Sequence, residues 1–316
     1  MSTPEDRFVV IDSVETSPED RFVMIDSVKT SPKDRFIMLD SVKTRYWKAG
    51  DSGSPVVFLH GIGAFSETWL MNFNVFSKVH RVFALDFPGH GYTHSIKRSH
   101  TIEYFARFID AFITSQNLDR VHLIGNSFGG GIALQYATLF PGKTDKLVLV
   151  ANPGFGRELS LPLRLVGLPI AGKFFIRSRN NETARRKRSI SIVKGILHDM
   201  DRVDGTMRET LIDMYYRRSG VPHGGWAVHD ILRRYTSLLG IKRSFIGEFD
   251  RIVGEVEASA LIVWGENDSV IPPKQGVLGL EKMRHAELYT IKECGHMPQL
   301  EHPEEFNRVV LQFLNH

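Results

Sequence analysis

Residues 121–131 read VHLIGNSFGGG and decide the fold. An apolar run (121–124) leads into the pentapeptide GNSFG (125–129), and a helix-compatible stretch (132–139) follows. A turn this tight strains the backbone at its centre, and only residues without a Cβ atom fit against the strand and helix on either side. The pattern predicts a strand, a sharp turn and a helix, with the Ser127 hydroxyl exposed at the carboxyl end of the strand.

Two later loops carry the groups that would activate such a serine. Residues 260–264 are short, β-branched and aromatic, and predict a buried strand that ends in Gly-Glu-Asn-Asp (265–268). A further predicted strand (287–291) is followed by Cys-Gly-His-Met-Pro (294–298). The chain order Ser, Asp, His is the order in which one large group of hydrolases carries a catalytic triad.

We therefore predict Ser127 as the nucleophile, His296 as the general base and Asp268 as the acid that orients the imidazole. A histidine ordinarily gains and loses a proton near neutral pH, so it can take the serine proton and return it to the leaving group. Glu266, on the same loop as Asp268, is the competing acid. Asp86, which proline and glycines follow, is interpreted as a structural, turn-capping residue.

The loop HGIGAF (60–65) follows a predicted strand (55–59) and is the candidate oxyanion loop. Its glycines free the backbone to direct amides inward, and the N–H groups of Ile62 and Phe128 are the predicted pair of donors. The predicted supporting residues are His60, Gly61 and Gly63 in this loop and Gly125 and Gly129 in the serine turn.

The sequence gives no indication of a cofactor or a metal. It contains neither a Gly-Lys-Ser/Thr phosphate-binding motif nor a Gly-x-Gly-x-x-Gly turn with a later acidic partner. The single cysteine, Cys294, excludes an intramolecular disulfide and a cysteine-ligated zinc site, and is typical of a reducing compartment. We expect neither a cofactor nor a bound metal.

In order and spacing, these motifs resemble the α/β-hydrolase fold superfamily, and the resemblance covers residues 35–316 with one interruption. Within it the chain resembles serine carboxylesterases, lactonases and the C–C bond hydrolases that open meta-cleavage products of aromatic degradation. GNSFGG (125–130) is especially similar to the last group. Two features differ from that group: the oxyanion loop has no proline, and Met297 stands where those hydrolases usually carry tryptophan. Dehalogenases and epoxide hydrolases attack with a carboxylate, which Ser127 argues against.

Residues 3–44 contain a fourteen-residue repeat in three copies: 3–16, 17–30 and 31–44. Three such copies are too short for a solenoid. The third copy continues into a second apolar segment, so 36–39 and 44–48 predict a hairpin across Asp40, Ser41 and Val42. The first two copies lack that partner, and we expect residues 1–30 to be a flexible extension without a function of its own.

The interruption (154–254) is predicted to be an inserted helical cap, which leaves 31–153 and 255–316 as the catalytic domain. Residues 157–251 carry 19 Lys and Arg against 10 Asp and Glu, although the whole chain has a net charge of only +4. The run Arg-Arg-Lys-Arg (185–188) is most simply a solvated helix face. Residues 159–175 are apolar but broken by prolines and glycines, and we expect them to roof an apolar pocket.

The sequence thus predicts an α/β-hydrolase fold, a mostly parallel, doubly wound sheet with an inserted cap. The expected partner is an apolar or amphipathic small-molecule ester and not a nucleic acid, and the oligomeric state is left open. A basic cap with an apolar roof also suggests peripheral contact with a membrane surface. No stretch resembles a signal peptide or a membrane span, so we expect a cytoplasmic enzyme.

C–C bond hydrolysis and non-catalytic ligand binding are the alternative functions. For C–C bond hydrolysis, the candidate ligands of the substrate carboxylate are the cap residues Arg217, Arg218, Trp226, Arg233 and Arg234.

Overall fold

The computed structural model describes residues 32–95, 100–177, 181–201, 203, 205–220 and 224–315. Ten strands lie within these ranges: β1 (Arg35–Leu39), β2 (Val42–Ala49), β3 (Pro55–Leu59), β4 (Arg81–Leu85), β5 (Val121–Asn126), β6 (Thr144–Val150), β7 (Thr236–Ser237), β8 (Gly240–Ile241), β9 (Ser259–Gly265) and β10 (Ala286–Ile291). The first two copies of the repeat, and with them the expected flexibility of residues 1–30, lie outside the described residues.

Eight of these strands form one sheet in the order β1-β2-β4-β3-β5-β6-β9-β10. β1 and β2 are antiparallel, β2 pairs antiparallel with β4, and the remaining six strands are parallel. The predicted hairpin is confirmed with a shorter turn: Asp40 and Ser41 both have positive φ, and Val42 already pairs with Leu39 in the ladder. Two left-handed residues suit a two-residue hairpin because their twist matches that of the strands.

The helices are α1 (Leu70–Phe76), α2 (Ile102–Ser115), α3 (Phe128–Leu139), α4 (Leu161–Val166), α5 (Pro169–Arg177), α6 (Glu182–Ile196), α7 (Gly205–Ser219), α8 (Gly224–Tyr235), α9 (Arg243–Glu255), α10 (Lys274–Lys282), α11 (Pro298–Glu301) and α12 (Pro303–Asn315). Within the described ranges, no helix has the length and apolar character needed to span a membrane.

The parallel strands β3, β4, β5, β6 and β9 are largely buried on both faces, as helical layers on both sides require, whereas the edge strand β10 is mostly half-buried or exposed. On one face, aromatic residues of α2 and α3 pack with β3, β5 and α9 in the larger core cluster. On the other, α1 and α12 pack with β4 and β6 in a second cluster. The sheet therefore holds its strand ends rigidly, which is where the loops of the candidate site begin.

Helices α4–α8, which we call the inserted helices, lie between β6 and β9 in the chain. α8 lies over the loop that follows β3, because a Cβ atom added to Gly63 of that loop would lie 3.6 Å from the side chain of Val228. One added to Gly89 would lie 2.5 Å from Ala227. α9 instead buries Phe249 against α3, in the helical layer of the sheet.

The structure corrects two expectations for the inserted helices. Arg185 and Arg186 do not form a solvated face, because they bind α7: Arg185 donates to the carbonyl of Tyr216, and Arg186 pairs with Asp213 and Glu209. The apolar residues of α4 and α5 do not simply roof a pocket either. Within α4 and α5, the large side chains for which burial is described are exposed or only half-buried.

Candidate active site

Ser127 lies at the predicted sharp turn between β5 and α3. Its φ of 51° and ψ of −122° put it in a strained region that non-glycine residues rarely adopt. A Cβ atom on Gly125 would lie 2.4 Å from the carbonyl oxygen of Gly129, and one on Gly129 would lie 2.3 Å from that of Leu59. Both glycines are therefore sterically required. The strain leaves the serine side chain at the end of the strand, above the first turn of α3.

His296 and Asp268 form a buried pair. The Nδ1 atom of His296 lies 2.8 Å from Oδ2 of Asp268, and the side chains are 5 % and 0 % exposed. The other carboxylate oxygen accepts the N–H groups of Val270 at 2.8 Å and Ile271 at 3.0 Å. The carboxylate is thus fixed from two sides, and it fixes the imidazole ring. Glu266, the competing acid, is exposed to solvent.

The structure brings the histidine loop to the serine turn through Asn126. Its side-chain amide donates to the carbonyl of His296 at 3.2 Å. No hydrogen bond joins the Ser127 hydroxyl to the His296 ring in the described part of the chain. Such contacts are often long in a ligand-free hydrolase and tighten when substrate binds.

The oxyanion loop lies beside the nucleophile. A Cβ atom on Gly61 would lie 3.3 Å from the Cβ atom of Ser127, so Ile62 follows a residue in contact with the serine turn. Phe128 is the first residue of α3, where backbone N–H groups have no partner within the helix. Both predicted donor residues therefore adjoin the serine turn, Phe128 directly and Ile62 through Gly61.

His60 supports this loop with a defined tautomer. Its Nε2 atom accepts the N–H of Phe87 at 3.0 Å, so the proton is on Nδ1, which lies 2.7 Å from the carbonyl oxygen of Gly61 and donates to it. Burial lowers the pKa of His60, because a charged ring would lose its hydration. His60 is thus a neutral residue that orients the peptide before Ile62.

The end of α6 contacts both catalytic loops. The N–H of His296 donates to the carbonyl of Ile196 at 2.8 Å, and the hydroxyl of Ser269 donates to that of Gly195 at 3.2 Å. The end of α6 therefore holds both loops in place.

Glu301 clamps the histidine loop from the other side. One carboxylate oxygen accepts the N–H groups of Gly295 at 2.9 Å and Met297 at 3.4 Å, and the other accepts that of His198, beyond the end of α6, at 2.7 Å. Burial raises the pKa of Glu301. The backbone on both sides of His296 is thus bound to one side chain.

A buried cluster of charges lies behind the oxyanion loop. Arg45 forms two hydrogen bonds to Glu67, at 2.9 and 3.0 Å, and lies 3.1 Å from Asp86. Arg218 of α7 also binds Glu67, and its guanidinium lies 3.2 Å from the ring centre of Tyr92. The opposite charges hold the pKa values of Glu67 and Asp86 low despite burial. Asp86 is therefore structural, as the sequence interpretation expected: it accepts the N–H of Tyr92 in its own turn, and it also belongs to an ion cluster that was not predicted.

Cys294 is buried and its pKa is raised by burial and by the nearby Glu301, so its thiol remains protonated at neutral pH. Within the described ranges, no group of three His, Cys, Asp or Glu side chains has the arrangement of a metal site. Cys294 is therefore a poor nucleophile, and the assignment of that role to Ser127 stays a prediction.

Sequence interpretation missed the structural roles of Asn126, Glu301, Glu67 and the end of α6. Asn126 was visible inside the serine motif, although only the fold shows that it reaches the histidine loop. Arg218 was considered as a substrate ligand, whereas the structure places it on Glu67, 151 positions away in the chain. No local pattern signals a contact of that separation.

Comparison with known proteins agrees with this geometry. A family model described as the alpha/beta hydrolase fold matches residues 54–303, and the chain belongs to this family. It is a hydrolase of the α/β-hydrolase fold, as the resemblance implied.

Particular relatives differ in what they act on. The chain is 30 % identical to a 2-hydroxy-6-oxononadienedioate/2-hydroxy-6-oxononatrienedioate hydrolase of Klebsiella pneumoniae, over 84 % of this chain and 88 % of that protein. A crystal structure of a serine hydrolase involved in carbazole degradation matches with a TM-score of 0.70 and 25 % identity, over 90 % of this chain and 99 % of that chain. A bacterial membrane phospholipase A matches with a TM-score of 0.73 and 22 % identity, over 90 % and 86 %; this last likeness concerns the fold alone.

Proposed function

We propose that the chain is a serine hydrolase that cleaves the ester bond of an apolar or amphipathic small molecule through an acyl-enzyme. The observation that carries the proposal is the buried pair of His296 and Asp268, joined at 2.8 Å and tied through Asn126 to the turn of Ser127. An ester needs what this constellation supplies: a nucleophile, a base held in one tautomer and amide donors for the oxyanion.

In the proposed reaction, Ser127 Oγ attacks the ester carbonyl while its proton moves to Nε2 of His296. Amides of Ile62 and Phe128 stabilise the negative oxygen of the tetrahedral intermediate. The C–O bond to the alcohol then breaks, and the imidazolium returns the proton to the leaving oxygen. Water attacks the acyl-enzyme by the same route and releases the carboxylic acid and free Ser127.

An apolar substrate is supported by the residues beside the histidine. Met297 is 3 % exposed and packs with Phe65, Leu197 and Tyr215, so an apolar wall adjoins the imidazole. Phe65 of the oxyanion loop, Met297 of the histidine loop and Tyr215 of α7 contribute to this wall.

C–C bond hydrolysis of a meta-cleavage product is the second candidate. The names of the 27–30 % identical relatives favour it. It also requires a cation for the substrate carboxylate, and Arg218 is committed to Glu67. The cation we would test is Arg188, which is half-buried on α6, the helix whose end contacts the loops of His296 and Asp268.

The test is a comparison of wild type, Ser127→Ala and the control Ser191→Ala, an exposed serine of α6. Each is incubated with p-nitrophenyl esters from acetate to palmitate and with 2-hydroxy-6-oxononadienedioate. We expect ester turnover in wild type and the control and none in Ser127→Ala. Turnover of the dienedioate alone, with a KM raised by Arg188→Met and not by the exposed Lys187→Met, would instead establish the second candidate. Labelling of Ser127 by a fluorophosphonate without turnover of either substrate would favour a ligand-binding protein.

A further inference from the structure

The inserted helices present an apolar surface to solvent. We call it the outer face and define it by Leu161, Leu165, Ile170, Phe174, Leu238 and Leu239. Ile170 is 84 % exposed, and Phe174 and Leu239 are each 77 % exposed. Isolated exposed apolar residues are ordinary, whereas a contiguous group marks a surface that binds something.

The members of the outer face are neighbours. Ile170 and Phe174 are separated by one turn of α5 and share a side of the helix. α4 and α5 together line an open groove of about 790 Å³ that includes Leu165, Ile170 and Phe174. Arg164 of α4 donates to the carbonyl of Leu238 at 3.0 Å, which places the β7–β8 turn with its two leucines against α4.

Positive charge borders this face. Lys173 lies three residues after Ile170 on α5 and is exposed. Arg233 and Arg234, both exposed, end α8 just before the leucine turn. Residues 161–177 and 226–243 together contain seven Lys and Arg and a single acid, Asp230, which is held by His100 at 3.2 Å.

We propose that the outer face docks peripherally on an anionic lipid bilayer, with Ile170, Phe174 and the leucine turn entering the headgroup boundary. Apolar side chains surrounded by lysine and arginine are what such a boundary binds. A second copy of the chain is a poorer occupant, because two faces of the same positive charge repel each other. The proposal concerns binding and does not rest on the proposed reaction.

The outer face is one helix away from the candidate active site. α4 is joined to α8 by the contact of the His229 ring with the carbonyl of Val166 at 2.8 Å. The neighbouring residue of α8, Val228, lies over Gly63 of the oxyanion loop. Docking would therefore bring the bilayer close to the helix that covers the site.

The test is flotation of the full chain with vesicles of phosphatidylcholine alone and of phosphatidylcholine mixed with an equal amount of phosphatidylglycerol. We expect binding to the mixed vesicles that weakens as salt is raised. Ile170→Ser/Phe174→Ser should lower the affinity at least about tenfold, since it removes two inserting side chains. Lys173→Glu should lower it about fivefold or more.

The chain offers a matched control away from the outer face, before the start of β4, where Lys78 and Val79 are adjacent and exposed. Lys78→Glu and Val79→Ser should bind as wild type does, and circular dichroism checks the fold of every variant. Ser127→Ala should also bind normally, which separates failure of this proposal from failure of the reaction. Equal binding by wild type and the serine double variant would overturn the proposal. So would a vesicle-free dimer that the double variant dissociates, because a second copy would then be the occupant.

Discussion

The buried carboxylate of Glu67 lies between two guanidinium groups, and its neutralisation gives the sharpest prediction. Arg45 of β2 binds it through two hydrogen bonds, and Arg218 of α7, one of the inserted helices, also binds it. Glu67→Gln removes the negative charge but keeps the shape of the side chain. Arg45 retains Asp86 and Asp34. The two guanidinium groups then repel each other in a region where both are buried.

The structure sets the size of the effect. All polar atoms of Glu67 are buried, and removing one partner from a buried ion pair costs about 3–5 kcal/mol. Arg218→Met should cost less, about 1.5–3 kcal/mol, because Glu67 keeps its two hydrogen bonds to Arg45. The double variant lacks the repulsion, so its loss should fall short of the sum by about 1–3 kcal/mol.

Urea unfolding of the four proteins measures this coupling as a double-mutant cycle. The neighbouring Arg217 is exposed, and Arg217→Met serves as the control that should change the free energy of unfolding by no more than about 0.5 kcal/mol. If the losses of Glu67→Gln and Arg218→Met simply add, or if Arg218→Met costs as much as Glu67→Gln, the reasoning is refuted.

Three further predictions concern the site and its support. Asp268→Asn should lower kcat on the order of 10³–10⁴-fold because the amide cannot hold the required imidazole tautomer, whereas Glu266→Gln should change it little; equal losses in steady-state kinetics would contradict the choice of acid. Gly129→Ala should destabilise the fold by about 3 kcal/mol or more in urea unfolding, since its Cβ atom would meet backbone at 2.3 Å, and near-wild-type stability would contradict the turn geometry. Opposite charges lower the pKa values of Glu67 and Asp86, so their stabilisation is complete above about pH 5.5 and is lost as the pH falls through the folded-state values. Melting temperatures of Asp86→Asn should therefore fall less steeply with acid than those of wild type.

Much of the fold was accessible from local pattern. The strand β3 was predicted at its observed limits, and the strands around 121–124, 260–264 and 287–291 were each found one or two residues longer at one or both ends. These segments are short, apolar and bounded by glycine or polar residues, so periodicity and turn chemistry agree. Helices α4–α8 lie in the segment where the insertion was predicted, and their role as a cap stays a prediction. Most of α9 also falls within the predicted bounds 154–254, although it packs on α3 in the helical layer of the sheet.

The inserted helices were predicted less well, for a physical reason. A run of arginines has the same local pattern whether it faces water or binds a neighbouring helix, and only the approach of α7 decides that Arg186 pairs with Asp213. An apolar segment likewise does not show which side will be covered. The outward position of Ile170 and Phe174 follows from the packing of α4 and α5 on α8.

The sequence by itself determined the sheet, the strained serine turn and the identity of Ser127, Asp268 and His296 as candidates, because glycine spacing and strand ends are local properties. Tertiary structure decided what holds them. It set Asp268 against His296, put the end of α6 on both loops and joined Arg218 to Glu67 across 151 positions. Contacts between distant segments depend on how whole layers pack, and no stretch of sequence contains that information alone.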